Sequence, residues 1–248
     1  MGRFWTLKEN NEDIDKKTIN PFTEMMLKTD RNVPKRRPLK AALFDLDGTL
    51  FDTEGQYTIF WGGIGKKYNL GEDFAYKIKG STLVRIYNLY FPDEALQAEI
   101  TEQLNAYEAQ MHYEFIPGAL GFLKELKENG IKCAIVTSSN KAKMASVERQ
   151  MPQFGTFFDR VLTSEDFTRS KPAPDCYLLG AKVFDAELDE CVVFEDAFNG
   201  LKAGKDSGIF TVGVATYNKP EEIAEKCDYV IDDFRDLTLD KLVKAMNR

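Results

Sequence analysis

Asp45 and Asp47 are the residues of this chain best placed to do chemistry. They follow the apolar run Ala41-Ala42-Leu43-Phe44 and open the turn Asp45-Leu46-Asp47-Gly48-Thr49-Leu50. A short apolar run of this kind reads as a buried strand. Strand side chains alternate with period two, so carboxylates at positions 45 and 47 project to one side. One can then attack an electrophile while the other trades protons. Aspartate at the C-terminal edge of a parallel strand is also where open α/β folds receive their ligands. The pattern points to phosphoryl transfer, and its plain alternative is a solvated turn with Asp as turn former.

The elements that must position this pair begin at Lys40. Strand patterns fall at 40–45, 131–137, 191–194, 209–214 and 228–231, with a weaker sixth at 160–162. Helical patterns at 118–129, 141–150, 175–184, 197–206 and 237–247 separate them. Strands alternating with helices over short connections predict an α/β fold with a doubly wound parallel sheet. The interval from Gly55 to Tyr113 is helical only, and Leu96, Ile100, Leu104, Tyr107 and Met111 share one helix face there. It reads as a helical cap inserted at 55–113 into a core formed by 39–54 and 114–248, in position to cover the two carboxylates. Residues 1–38 read as an N-terminal extension ending in the linker Pro34-Lys35-Arg36-Arg37-Pro38. The cluster Gly62-Gly63-Ile64-Gly65-Lys66 completes no nucleotide-binding motif, and is expected to weaken or kink a helix.

Three further groups lie at strand ends. Thr137-Ser138-Ser139-Asn140 joins the second strand to a helix, as either an anion site or an ordinary N-cap. Ser170-Lys171-Pro172-Ala173-Pro174-Asp175 holds one lysine in a proline-stiffened loop, to neutralise a phosphate or merely to face solvent. Glu195-Asp196 ends the apolar run Val192-Val193-Phe194, and two hard oxygen donors suit a cation such as Mg²⁺.

Composition narrows the choice. A single histidine, His112, within a helical pattern and expected on the cap surface, rules out a multi-histidine metal centre and leaves acid–base work to carboxylates. A net charge of −7 argues against nucleic acid, whose binding depends on excess Lys and Arg. No apolar run approaches the roughly 18 residues that span a bilayer. The charged segment Met1–Asn20 does not read as a secretory signal, so the expectation is a cytoplasmic protein with no membrane partner. The four cysteines, Cys133, Cys176, Cys191 and Cys227, form no CxxC and are expected as buried free thiols.

Taken in order, Asp45-Leu46-Asp47-Gly48-Thr49, Thr137-Ser138-Ser139, Ser170-Lys171-Pro172 and Glu195-Asp196 resemble the four motifs of the haloacid dehalogenase superfamily. The helical insertion, with Lys171-Pro172-Ala173-Pro174-Asp175 and Phe194-Glu195-Asp196, is similar to its β-phosphoglucomutase and sugar-phosphatase branch. The resemblance implies a Rossmann-like core with a four-helix cap. It implies Asp45 as nucleophile and Asp47 as general acid and base, with Thr137, Ser138 and Lys171 binding phosphate. Mg²⁺ is the implied cofactor, with Asp45, Asp47, Glu195 and Asp196 as its ligand set. Asp47 also speaks against a dehalogenase, which needs no proton donor to an alkoxide.

Cap residues Tyr57, Lys79 and Arg85 are expected to face the leaving group. The mutase branch carries KGxSR where this chain has Lys79-Gly80-Ser81-Thr82-Leu83, and a histidine where it has Tyr57. Arg85 is a substitute only if its helix is turned by half a turn. The expected activity is therefore hydrolysis of a small phosphorylated sugar or polyol by a monomer or weak homodimer. β-Phosphoglucomutase is the alternative.

Overall fold

The structure, a computed structural model, describes residues 37–248. The expected extension at 1–38 therefore lies outside the described residues, apart from Arg37 and Pro38. Six parallel strands form one sheet: β1 (Ala41–Phe44), β2 (Lys132–Val136), β3 (Arg160–Leu162), β4 (Cys191–Glu195), β5 (Phe210–Val214) and β6 (Tyr229–Ile231). Between β1 and β2 lie α1 (Glu54–Lys67), α2 (Phe74–Lys77), α3 (Leu83–Tyr90), α4 (Glu94–Glu108) and α5 (Ala119–Glu128). Helix α6 (Lys141–Gln150) follows β2, α7 (Asp175–Lys182) follows β3, and α8 (Phe198–Ser207) follows β4. Helices α9 (Pro220–Ile223) and α10 (Leu239–Met246) flank β6.

The strand order is β3-β2-β1-β4-β5-β6, so the order reverses at β1. This is the doubly wound α/β arrangement, whose ligands bind beyond the C-terminal strand ends at such a switch point. The sheet is apolar on both faces because helices cover both. Ala42 and Phe44 pack into one buried cluster with Ile135, Phe194 and Phe234, while Ala41 and Leu43 pack into another with Val136 and Tyr177. The Phe44 and Phe194 rings stack at 4.6 Å across β1 and β4. Each such fully buried side chain contributes about 1.5–3 kcal/mol, which holds the strand ends that carry Asp45 and Glu195. The weakest predicted strand, β3, is the short edge strand beside β2, with Arg160 and Val161 exposed.

The inserted helices have their own core, built on Trp61, Ile64, Phe74, Ile86, Phe91 and Ile100. Helix α1 runs unbroken through Gly62, Gly63 and Gly65, against the expected kink. The reason is packing: a Cβ on Gly65 would lie 3.0 Å from Phe74, so the small residue lets α1 approach α2. The shared face expected up to Met111 ends earlier, because α4 stops at Glu108. Met111 belongs to the core beneath the sheet, Tyr107 packs against that same core, and His112 is exposed beside Glu114. The four cysteines are buried free thiols. No helix among the described residues is long and apolar enough to cross a membrane.

Candidate active site

Register brings the acids together. Phe44 pairs with Phe194 on one side and Ile135 on the other, so Asp45, the next residue, comes abreast of Glu195 and Val136. Its N–H donates to the Phe194 carbonyl at 3.0 Å. Lys171 enters from the loop before α7 and is completely buried. Its Nζ lies 2.6 Å from Asp45 Oδ1 and 2.6 Å from Glu195 Oε1, and donates to the Val136 carbonyl at 3.2 Å. One ammonium thus ties the ends of β1, β2 and β4. Burial alone would lower the Lys171 pKa, but the Asp45 and Glu195 carboxylates hold it well above the usual lysine value. Glu195 also accepts from the Tyr177 hydroxyl at 3.1 Å and from the Ala197 N–H at 2.9 Å. Helix α8 lies so close that a Cβ on Gly200 would fall 1.7 Å from Glu195 Oε1, and only glycine fits there.

Asp196 completes the group. Its Oδ1 accepts from the Thr49 hydroxyl at 2.9 Å, while Oδ2 is buried without a protein donor. Gly48, at φ +88°, makes the turn that passes over this carboxylate, and a Cβ there would lie 2.3 Å from Asp196 Oδ2. Oxygens of Asp45, Glu195 and Asp196 lie within 4.8 Å of one another. Burial pushes the Asp45 carboxyl up to about 8, against the pull of Lys171. Burial, then the neighbouring Glu195, Glu54 and Asp45, pushes Asp196 well above the carboxylate range. Buried like charges with one partnerless oxygen need a cation to remain ionised. An all-oxygen donor set of this kind fits a hard divalent ion such as Mg²⁺.

Asp47 lies to one side of that cluster. Its carboxylate accepts from Thr53 Oγ1 at 2.6 Å and from Ser139 Oγ at 3.1 Å, and is ion-paired with buried Lys143. The Lys143 ammonium also sits 4.6 Å from the centre of the Tyr57 ring. Tyr57 in turn donates to Glu108 Oε1 at 2.7 Å. Burial raises the Glu108 pKa, with Lys143 opposing the rise.

The inserted helices cover this floor and leave a cleft of about 420 Å³ that reaches both Asp45 and Asp47. Core side chains hold the covering loop: Ser138 Oγ donates to the Gly80 carbonyl at 2.9 Å, and Asn199 Nδ2 to the Lys79 carbonyl at 2.9 Å. Lys79 Nζ is 3.0 Å from Glu54 Oε2, an ion pair whose alignment is not that of a hydrogen bond.

Comparison with known proteins places this geometry. Residues 42–214 match the haloacid dehalogenase-like hydrolase family. The chain belongs to that family. Within it the chain falls in the branch of β-phosphoglucomutase-like hydrolases and sugar phosphatases. It is 31% identical over 212 residues to hexitol phosphatase A of Escherichia coli, covering 82% of this chain and 94% of that one. It is 29% identical over 210 residues to the bifunctional riboflavin kinase/FMN phosphatase of Arabidopsis thaliana, covering 80% of this chain. The match spans only 54%, about half, of that longer relative. The β-phosphoglucomutase of Clostridium difficile shares the fold with a TM-score of 0.70 at 22% identity, covering 84% of this chain and 97% of that one.

In this haloacid dehalogenase-like hydrolase, the predicted residues Asp45, Lys171, Glu195 and Asp196 meet at one point, with Thr137 at the neighbouring strand end. Thr137 Oγ1 accepts from the Ser139 N–H at 3.0 Å. Asp47, expected among the metal ligands, has its carboxylate held by Lys143, Thr53 and Ser139, outside the cluster formed by the Asp45, Glu195 and Asp196 carboxylates. Tyr57 and Lys79 line the cleft, as does Leu83. Arg85 does not, since it lies exposed on α3, and the half-turn that would bring it inward is absent.

Lys143, Glu54 and Glu108 escaped the sequence reading. Lys143 left one signal: a lysine in the first turn of a helix, where the helix dipole disfavours a cation, calls for an acidic partner. Glu54 and Glu108 look like ordinary exposed helix acids in the sequence, and only the docking of the inserted helices buries them.

Proposed function

We propose that the chain hydrolyses phosphate monoesters of small sugars or polyols through an aspartyl-phosphate on Asp45. One observation carries this reading: buried Asp45 lies between the Lys171 ammonium and the partnerless Asp196 oxygen, on the floor of a covered cleft. Asp45 attacks phosphorus and the bond from phosphorus to the alcohol oxygen breaks, with Asp47, which must first take up a proton in exchange for its ion pair with Lys143, delivering that proton to the oxygen. Asp47, now a carboxylate, takes a proton from water, whose oxygen attacks the acyl phosphate. The bond from phosphorus to Asp45 then breaks, releasing phosphate and restoring both acids.

Phosphoryl transfer depends chiefly on positioning and charge neutralisation. Lys171, the Thr137 hydroxyl and the Ser138 N–H bind the phosphoryl oxygens. Asp45, Glu195 and Asp196 would hold Mg²⁺, whose charge, when bound, offsets the repulsion between a carboxylate and a phosphoryl group. Thr53 and Ser139 aim Asp47. A mutase would have to grip a second phosphate in the cap, where Lys79 is the one cation among the described residues lining the cleft and is already paired with Glu54. Hydrolysis is accordingly the favoured outcome.

The test is phosphate release across a panel of sugar and polyol phosphates, with Mg²⁺ or with excess chelator, for the wild type and Asp45→Asn. Release that needs Mg²⁺ and vanishes in the variant supports the reading. Undiminished release in chelator, or in deamidation-free Asp45→Asn, overturns it.

A further inference from the structure

Glu54 opens α1 directly after Thr53, the residue that holds Asp47. It is 6% exposed, lines the cleft, and its Oε2 is buried without a hydrogen-bond donor. Glu108, the other buried acid of the cap wall, already receives the Tyr57 hydroxyl. Lys79 Nζ comes within 3.0 Å of Glu54 Oε2 but out of hydrogen-bond alignment, so the ion pair leaves that oxygen open. A pair that merely anchored the inserted helices would close the bond, since a buried acceptor left unsatisfied costs about 1–3 kcal/mol.

The place of this oxygen decides what it can meet. Glu54 passes over Gly48 beside the metal-binding acids: a Cβ on Gly48 would lie 2.8 Å from Glu54 Cγ and 2.3 Å from Asp196 Oδ2. The carboxylate thus stands next to the reacting centre on the side of the inserted helices, where the first alcohol carbons of a bound ester must lie. Lys79 is fixed there as well, its ammonium 5.3 Å from the centre of the Tyr76 ring and 5.0 Å from that of Tyr217, and its carbonyl held by Asn199. A hydroxyl between the two donates to Glu54 and accepts from Lys79, so it satisfies both. An ether oxygen can only accept, and an ammonium is repelled by Lys79.

We propose that Glu54 is the specificity-determining residue of this site: together with Lys79 it binds a free hydroxyl on the carbon next to the ester carbon, and selects against esters that lack one or carry an ether oxygen there. The assignment rests on the hydrolase reading for its chemistry, while the recognition itself is tested by binding alone.

The experiment uses two matched pairs. Glycerol 1-phosphate is set against propane-1,3-diol monophosphate, which lacks only that hydroxyl, and glucitol 6-phosphate against 1,5-anhydroglucitol 6-phosphate, in which that oxygen is a ring ether. Steady-state kinetics with Mg²⁺ should favour the hydroxyl-bearing ester of each pair by about tenfold or more in kcat/KM, the gain residing in KM. Glu54→Ala should cost that ester more than its partner and bring the ratio to about twofold or less, where a purely structural defect would lower both alike. Glu54→Gln, which keeps the shape of the side chain, should shrink the ratio severalfold even if Glu54→Ala fails to fold. The proposal is overturned by a wild-type ratio near one in both pairs, or by a ratio that every folded variant leaves intact.

Binding separates this from failure of the phosphatase reading. In Asp45→Asn, calorimetric titration with the same four esters and Mg²⁺ should show the hydroxyl-bearing ester of each pair bound about tenfold tighter, and adding Glu54→Gln should narrow that gap. A gap of this kind in a protein whose active form releases no phosphate would keep the role of Glu54 and sink the hydrolase. Phosphate release with no gap in either pair would sink the role of Glu54 alone.

Discussion

Lys143, buried in the first turn of α6, is ion-paired with both carboxylate oxygens of Asp47. The pair fixes the proposed proton-transfer group from the core side, while Tyr57 packs on the same ammonium from the inserted helices. A cation at a helix N-terminus is disfavoured by the helix dipole, so its retention there reflects what it holds.

Lys143→Met is therefore expected to lower kcat by roughly tenfold to a hundredfold with KM little changed. That loss is no larger than the about 10²–10⁴ that a general acid–base group supplies outright. Stability should fall as well, by about 1–3 kcal/mol, because an acid of the pair is left without its cation. Thermal unfolding of Lys143→Met, Asp47→Asn and the double variant checks this. The double variant should be less destabilised than the sum of the singles, as expected for residues in direct contact. Strict additivity would count against the pair.

Neutralising one acid of the β1–β4 cluster should have the opposite effect on the metal-free protein. Asp45, Glu195 and Asp196 crowd within 4.8 Å, with Glu54 nearby and Lys171 as the cation among them. Asp196→Asn relieves that repulsion, so its melting temperature in chelator should exceed the wild type's by a few degrees, about 2–4 °C per kcal/mol gained. Saturating Mg²⁺ should raise the wild type by about 2.7 kcal/mol at a hundredfold excess over Kd. The same ion should do little for Asp196→Asn. A thermal-shift titration with Mg²⁺ reads both, and an undiminished Mg²⁺ response in the variant would remove Asp196 from the metal site.

The grouping of the candidate site was legible in the sequence wherever its residues sit at strand ends. Asp45, Thr137 and Glu195 each follow an apolar run, and parallel register alone brings such ends together. Lys171 was visible because its loop is punctuated by proline. Lys143 and Glu108 were not, because their burial depends on how α1, α4 and α6 meet, which no local period encodes. The reach of the α4 face was overread for a related reason. Met111 keeps helical spacing with Leu104, yet the chain has already left the helix at Glu108 to enter the other core. Glycine spacing misled at Gly62, Gly63 and Gly65: the helix runs through all three, close packing against Phe74 explains Gly65, and nothing in the structure explains the other two.

Asp47→Asn should slow formation of the aspartyl-phosphate more for poor leaving groups than for good ones, since nitrophenolate needs little protonation as it departs. Rapid-quench measurement of the first turnover on a sugar phosphate and on nitrophenyl phosphate makes the comparison. The sugar phosphate should lose about 10²-fold or more and the aryl ester markedly less. Equal losses would remove Asp47 from the role of acid.

Mutase and phosphatase behaviour can be separated on one sample. A mutase must keep a sugar bisphosphate, or rebind it reversed, so its cap has to hold a phosphate about as firmly as Lys171 and the strand ends do. Here the cap presents Leu83 at the position where the mutase branch carries arginine, and Lys79 is neutralised by Glu54 at 3.0 Å. β-Glucose 1-phosphate with Mg²⁺ and a trace of glucose 1,6-bisphosphate should therefore yield little glucose 6-phosphate relative to inorganic phosphate. Leu83→Arg adds a fixed cation that can meet a phosphate bidentately. It should raise affinity for the bisphosphate about tenfold or more and lengthen its residence. Rapid accumulation of glucose 6-phosphate by the wild type, well ahead of phosphate release, would make this chain a mutase that grips its second phosphate without an arginine at position 83.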